Sequence, residues 1–113
     1  FKTITRDVAP ASAGTPETLY TVQSGSTVII LGLFLANVHT SQVTASVTLV
    51  STTTQTSQTQ NTTAYLVKDV AIPSGSSLSV LDGKIVANVG DIIKIDCSVA
   101  DKVSVVMSYM EIT

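Results

Sequence analysis

The chain has 113 residues, a formal net charge of -2, and only 12% charged residues. That length fits one compact domain, and burying roughly 65% of the unfolded surface supports one core with little to spare. The basic residues Lys2, Arg6, Lys68, Lys84, Lys94 and Lys102 are scattered singly, so the sequence shows no basic patch of the kind that nucleic-acid binding uses to displace counterions from phosphate, and the net charge argues against it.

A charged share of about 25% is usual, so here hydroxyls must coat the surface: Thr occurs 17 times and Ser 14 times. Thr, Val and Ile suit the half-buried, pleated surface of a sheet, because a branched Cβ loses rotamer freedom in a helix. Mean hydropathy is high at +0.43. The longest apolar run, Val28 to Val38, is interrupted by Gly32 and Asn37 and is far too short to span a bilayer. With little charge for self-repulsion, the pattern points to association through an apolar surface reserved for partner subunits.

In chain order, Thr3 to Val8 reads as a short edge strand, and residues 9–16 carry two prolines and a glycine, which is loop chemistry. Glu17 to Gln23 is a strand candidate closed by Ser24-Gly25. Ser26 to Ala36 is the most apolar strand and reads as buried on both faces. From Gln42 to Val50, Val43, Ala45, Val47 and Leu49 alternate with Thr44, Ser46 and Thr48, which predicts a strand with one wet face.

Ser51 to Thr63 is a low-complexity run of Ser, Thr, Gln and Asn, expected as a long exposed loop or extended arm. Ala64 to Ile72 resumes as a strand that ends at Pro73-Ser74-Gly75. Ser77 to Leu81 and Lys84 to Val89 flank Asp82-Gly83, a dipeptide suited to a tight hairpin. Ile92 to Val99 and Lys102 to Ile112 complete the chain, with a short hairpin turn expected at Ala100-Asp101. Ser24-Gly25-Ser26 and Ser74-Gly75-Ser76 echo each other, read as repeated turn chemistry rather than a duplicated domain. The whole predicts an all-β fold, an antiparallel β-sandwich of about eight strands with jelly-roll-like connectivity.

The chemistry-bearing residues form no recognisable constellation. His39 is the single histidine and lies in a turn-like segment; as a general base it would need a nucleophile and an orienting acid. The carboxylates are dispersed, and neither a calcium-loop pattern nor zinc spacing occurs. No catalytic, cofactor-binding or metal residue is therefore assigned, and no enzyme activity is expected. Cys97, the single cysteine, falls on the apolar side of an alternating strand and reads as a small buried hydrophobe. Tyr20, Phe34, Tyr65 and Tyr109 sit in predicted strands, where packing or an interface explains them more simply than sugar stacking. Asn61-Thr62-Thr63 matches a glycosylation sequon, given little weight because no basic-then-apolar leader is visible.

One ordered set of segments is more specific: Leu19-Tyr20-Thr21, Gly25, the apolar strand ending in Ala36-Asn37, the run from Tyr65 through Pro73 to Leu78, Gly90-Asp91-Ile92-Ile93-Lys94-Ile95, and Val105 to Ile112. This set resembles small virion structural proteins of tailed bacteriophages, especially those of marine and cyanobacterial hosts. The resemblance covers nearly the whole chain and rests on turn and strand signatures. It implies a non-enzymatic virion component with a β-sandwich fold. The first choice is a capsid decoration (cement) protein on the phage head, a homo-oligomer contacting the major capsid protein or other virion proteins. Alternatives are a tail, neck or baseplate subunit, or a carbohydrate-binding host-recognition module. No cofactor, nucleic acid or membrane partner is expected.

Two regions are expected to make contacts. Residues 1–16 are read as an N-terminal arm ahead of a single sandwich domain over 17–113, with Phe1, Ile4 and Val8 as its apolar contacts. Such an arm adds a strand to a neighbour's sheet edge; the competing reading is an ordinary edge strand of its own domain. The Thr/Gln-rich loop is the second region.

Overall fold

The computed structural model describes residues 1–51 and 63–113. The described residues are all-β, in nine strands: β1 (Lys2–Ala9), β2 (Glu17–Thr21), β3 (Thr27–Asn37), β4 (Val43–Val50), β5 (Thr63–Ile72), β6 (Ser77–Ser79), β7 (Ile85–Ala87), β8 (Ile92–Cys97) and β9 (Val103–Ile112). They form two antiparallel sheets. One runs β1-β9-β3-β6, with β7 also on β3, and the other runs β2-β8-β4-β5.

β6 and β7 share one edge of β3: Leu78 lies opposite Leu35, and Val86 lies opposite Ile29. They therefore act as one strand interrupted by residues 80–84. Counted so, eight strands alternate between the sheets except at the β4–β5 pair, which is the connectivity of a jelly roll. This corrects the expected hairpin at Asp82-Gly83. Such a hairpin needs positive φ in its turn, and Gly83 lacks it; pairing with β3 has overridden the local signature. Ala100-Asp101 is likewise no hairpin, since β8 and β9 belong to different sheets. Asp101, at φ 56°, turns the chain from one sheet to the other, and its N–H donates to the Pro10 carbonyl at 2.8 Å.

The echoed turns are two copies of one device. Ser26 N–H donates to the Gln23 carbonyl, and Ser76 N–H to the Pro73 carbonyl. Gly25 and Gly75 occupy the third position at φ 80° and 74°, where a Cβ would be strained. Both turns carry the chain between the sheets, β2 to β3 and β5 to β6.

The core lies between the sheets. Val28, Ile30, Leu33 and Leu35 of β3 meet Val43, Ala45 and Val47 of β4, Ile93 and Ile95 of β8, and Val103, Val105 and Met107 of β9, all at 1% exposure or less. Cys97 belongs to this core, as its alternation predicts.

Residues 1–16 are tied into the domain. β1 pairs with β9 from Lys2 opposite Tyr109 to Ala9 opposite Val103, so the edge-strand reading describes the backbone. Arg6 reaches across to the other sheet, with Nη1 2.5 Å from Glu17 Oε2 and Nη2 3.3 Å from the Thr18 carbonyl. Ala11 N–H donates to Glu17 Oε1, and Gly14 N–H to the Cys97 carbonyl. The Thr/Gln-rich run and its sequon fall on residues 52–62, outside the described residues, apart from Ser51 and Thr63.

Candidate interaction surface

The two outward faces of the sandwich differ in chemistry. On the sheet containing β4 and β8, a cross-strand row runs Thr18, Lys94, Thr48, Tyr65, and Ser46 lies opposite Asp96. Hydroxyls and charges make that face polar, as the alternation of β4 predicts, with Thr44 and Thr48 half-buried and Ser46 buried.

The sheet containing β3 and β9 presents the opposite character. Alternation turns Val105, Met107 and Tyr109 inward and Val106, Ser108 and Met110 outward. On β3, buried Val28 and Ile30 place Ile29 outward, and buried Leu33 and Leu35 place Phe34 outward. A bulge between Ile30 and Gly32 absorbs the change of phase. The rows then join across strands: Val86, Ile29 and Met110 form one, and Phe34 and Val106 another. Phe34 is 49% exposed, Val86 56% and Val106 39%. β3, β6, β7 and β9 together contain a single charged residue, Glu111, which is held at one end by Lys2 at 2.6 Å.

The expectation that β3 is buried on both faces is thereby corrected. Its two faces are both apolar, but one packs into the core and the other forms the exterior of the domain. A continuous apolar run signals covering on both sides, and in the single chain only one side is covered. A Cβ at Gly32 would stand 3.7 Å from the Phe34 ring, an ordinary contact, so the ring lies beside the glycine on this face.

The three residues expected as arm contacts are not brought together. Phe1 is 91% exposed at the start of the chain. Ile4 lies opposite core residue Met107 and packs against the core. Val8, at 38% exposure, lies where the β1–β9 register shifts between Arg6 and Ala9. The four strand aromatics are also dispersed. Tyr20 and Tyr109 stack with centroids 5.1 Å apart, Phe34 is on the apolar face, and Tyr65 lies under Lys68 on β5.

One recess occurs on the polar face, with a volume of about 130 Å³ and Ser46, Asp69, Asp96 and Ser98 in its lining. A bulge in β5 sets Asp69 against Ser46, whose Oγ accepts from Asp69 N–H at 2.8 Å and lies 3.3 Å from Asp69 Oδ1. Asp69 adopts φ 49° there, a conformation that Asp tolerates better than most residues. Asp96 Oδ1 is buried without a hydrogen-bond partner. His39 is not in the lining. It lies beyond β3, where its N–H donates to Asn37 Oδ1 and its carbonyl accepts from Ser74. Among the described residues no group of three or more His, Cys, Asp or Glu side chains is placed to hold a metal ion.

A further residue that sequence reasoning passes over is Asn37, buried at 2% exposure. Its Nδ2 donates to the Ile72 carbonyl at 2.8 Å and the Ser41 carbonyl at 3.0 Å, while its backbone pairs with Gly75 and Ser76. One amide thus closes the corner where β3, β4, β5 and β6 meet. The available signal was an Asn ending an apolar strand, which resembles turn chemistry.

Comparison with family models, curated proteins and solved structures yields no match to this chain.

Proposed function

We propose that this chain is a non-enzymatic virion structural protein of a tailed bacteriophage, acting as a capsid decoration (cement) protein bound between major capsid subunits. The observation that carries the reading is the apolar outward face of β3, β6, β7 and β9, strands that hold one charged residue, Glu111. Large exposed apolar patches mark association surfaces, and a subunit of a multi-copy shell needs one. The jelly-roll connectivity is compatible, since capsid domains are among its common uses, although lectins share it and a fold alone does not choose a function. The resemblance of the strand and turn segments to phage virion proteins supports a virion component, and the capsid is the first choice among its sites.

The mechanism is mass action. A protein that binds only the assembled shell adds its binding free energy to that shell's stability. Attachment by several linked copies multiplies weak single contacts into a durable one. The test is copy number and position in purified particles, by quantitative mass spectrometry with particle imaging. Hundreds of copies over the head, and shells that break more readily once stripped of it, are expected. A few copies at one vertex or in the tail would replace this reading with a neck or baseplate subunit, and absence from particles would end it.

A further inference from the structure

We infer that the outward face of the β1-β9-β3 sheet, centred on Phe34 and Val106, packs against the same face of a second copy of this chain. The inference deepens the assembly reading above by naming the surface and the partner.

Charge comes first. The one charged residue in β3, β6, β7 and β9 is Glu111, and its neighbour Val28 across the ladder and its bond to Lys2 place it at the strand ends, away from Phe34. β1, at the edge, adds Lys2, which is held by Glu111, Arg6, which is turned to Glu17, and an exposed Asp7 near its end. The centre of the face, at Phe34 and Val106, is thus the part with no charge to offer a charged partner. It is complementary to another uncharged apolar face, and the nearest such face belongs to an identical chain. A twofold contact requires only that the patch be self-complementary.

Shape comes second. The Phe34 ring lies close to Gly32, 3.7 Å from where a Cβ would stand. Ser104 and Ser108 flank Val106 at outward positions on β9, so small residues surround the apolar centre. Two such sheets pack face to face about 10 Å apart.

Area comes third. Four strand positions about 4.8 Å apart, over roughly ten residues at about 3.3 Å each, make a face of roughly 600 Å². Two copies then bury about 1,200 Å², the lower bound for a specific interface. The opposite face, with Lys94, Asp96 and their hydroxyl neighbours, would lose hydration for ions it cannot match.

The test is the oligomeric state of the full chain through the micromolar range, by sedimentation velocity. A dimer is expected. Phe34→Asp and Val106→Asp should each raise its dissociation constant about tenfold or more, with circular dichroism unchanged because both sites are exposed. The near-isosteric Val106→Thr should weaken it in the same direction, whereas Tyr65→Asp on the other sheet should leave it intact. A wild-type monomer throughout that range, or a dimer untouched by both aspartates, would overturn the inference. Either result leaves the particle count standing, and absence from particles would leave the dimer standing.

Discussion

Phe34 of β3 and Val106 of β9 lie directly opposite each other across the antiparallel ladder, and both side chains leave the sandwich. Their chain neighbours Leu35 and Val105 are also opposite each other, and both point into the core. Two adjacent rungs thus carry the same residue chemistry to opposite environments. The inner rung holds the domain together, and the outer rung stays exposed on the surface of the sheet.

That division predicts opposite costs for adjacent residues. Met107 is completely buried and Val106 is 39% exposed. Met107→Ala should lower unfolding free energy by about 2–5 kcal/mol through lost burial and a cavity. Val106→Ala in the monomer should change it by no more than about 0.5 kcal/mol, as exposed substitutions do. Urea unfolding of both variants checks this, and equal losses would mean that Val106 is a core residue.

Asn37 should matter more than its position at a strand end suggests. Asn37→Ala leaves the Ile72 carbonyl and the His39 N–H without their side-chain partner. Buried groups left in that state cost about 1–3 kcal/mol. The expected result is a lower urea midpoint at an unchanged slope. A midpoint equal to wild type would show that water replaces the amide at this corner.

The Lys2–Glu111 pair ties the first strand to the last across 109 positions. Hydrogen bonding and attraction to Lys2 hold the Glu111 carboxyl below its ordinary value of 4.5, and the same bond raises the Lys2 ammonium above 10.5. A lowered acid contributes stability above its unfolded value, lost as pH falls through the folded one; a raised base contributes below its unfolded value, lost as pH rises through the folded one. Stability from this pair is therefore full between about pH 4.5 and pH 10.5. Glu111→Gln should flatten the acid limb of the stability profile below pH 4.5. The effect should be small and fade with added salt, because the pair is at the surface. An acid limb identical to wild type would show that the pair contributes nothing.

Much of the fold was legible because alternation is a local property. Val43 to Leu49 announces one buried face, and Val43, Ala45 and Val47 are buried; on the other face Thr44 and Thr48 are half-buried and Ser46 is covered. The Gly25 and Gly75 turns were legible because positive φ selects glycine. Asp82-Gly83 misled because a turn signature says nothing about which strand the flanks will pair with; β6 and β7 both find β3. Phe1, Ile4 and Val8 show a different limit. Their apolar character is visible in sequence, but register alone decides that Ile4 faces the core. The apolar face was half legible: both faces of β3 read as apolar, and the chain itself covers only one of them.

The measurement closest to the central claim is hydroxyl-radical footprinting of the assembled chain, compared with its Val106→Asp variant. If the outward face of the β1-β9-β3 sheet is an interface, Phe34 and Met110 should be oxidised more slowly in wild type than in the variant, while Tyr65 on the other sheet reacts equally in both. Equal oxidation of Phe34 and Met110 in the two proteins would show that the apolar face is open to water in the assembly, and would contradict the account.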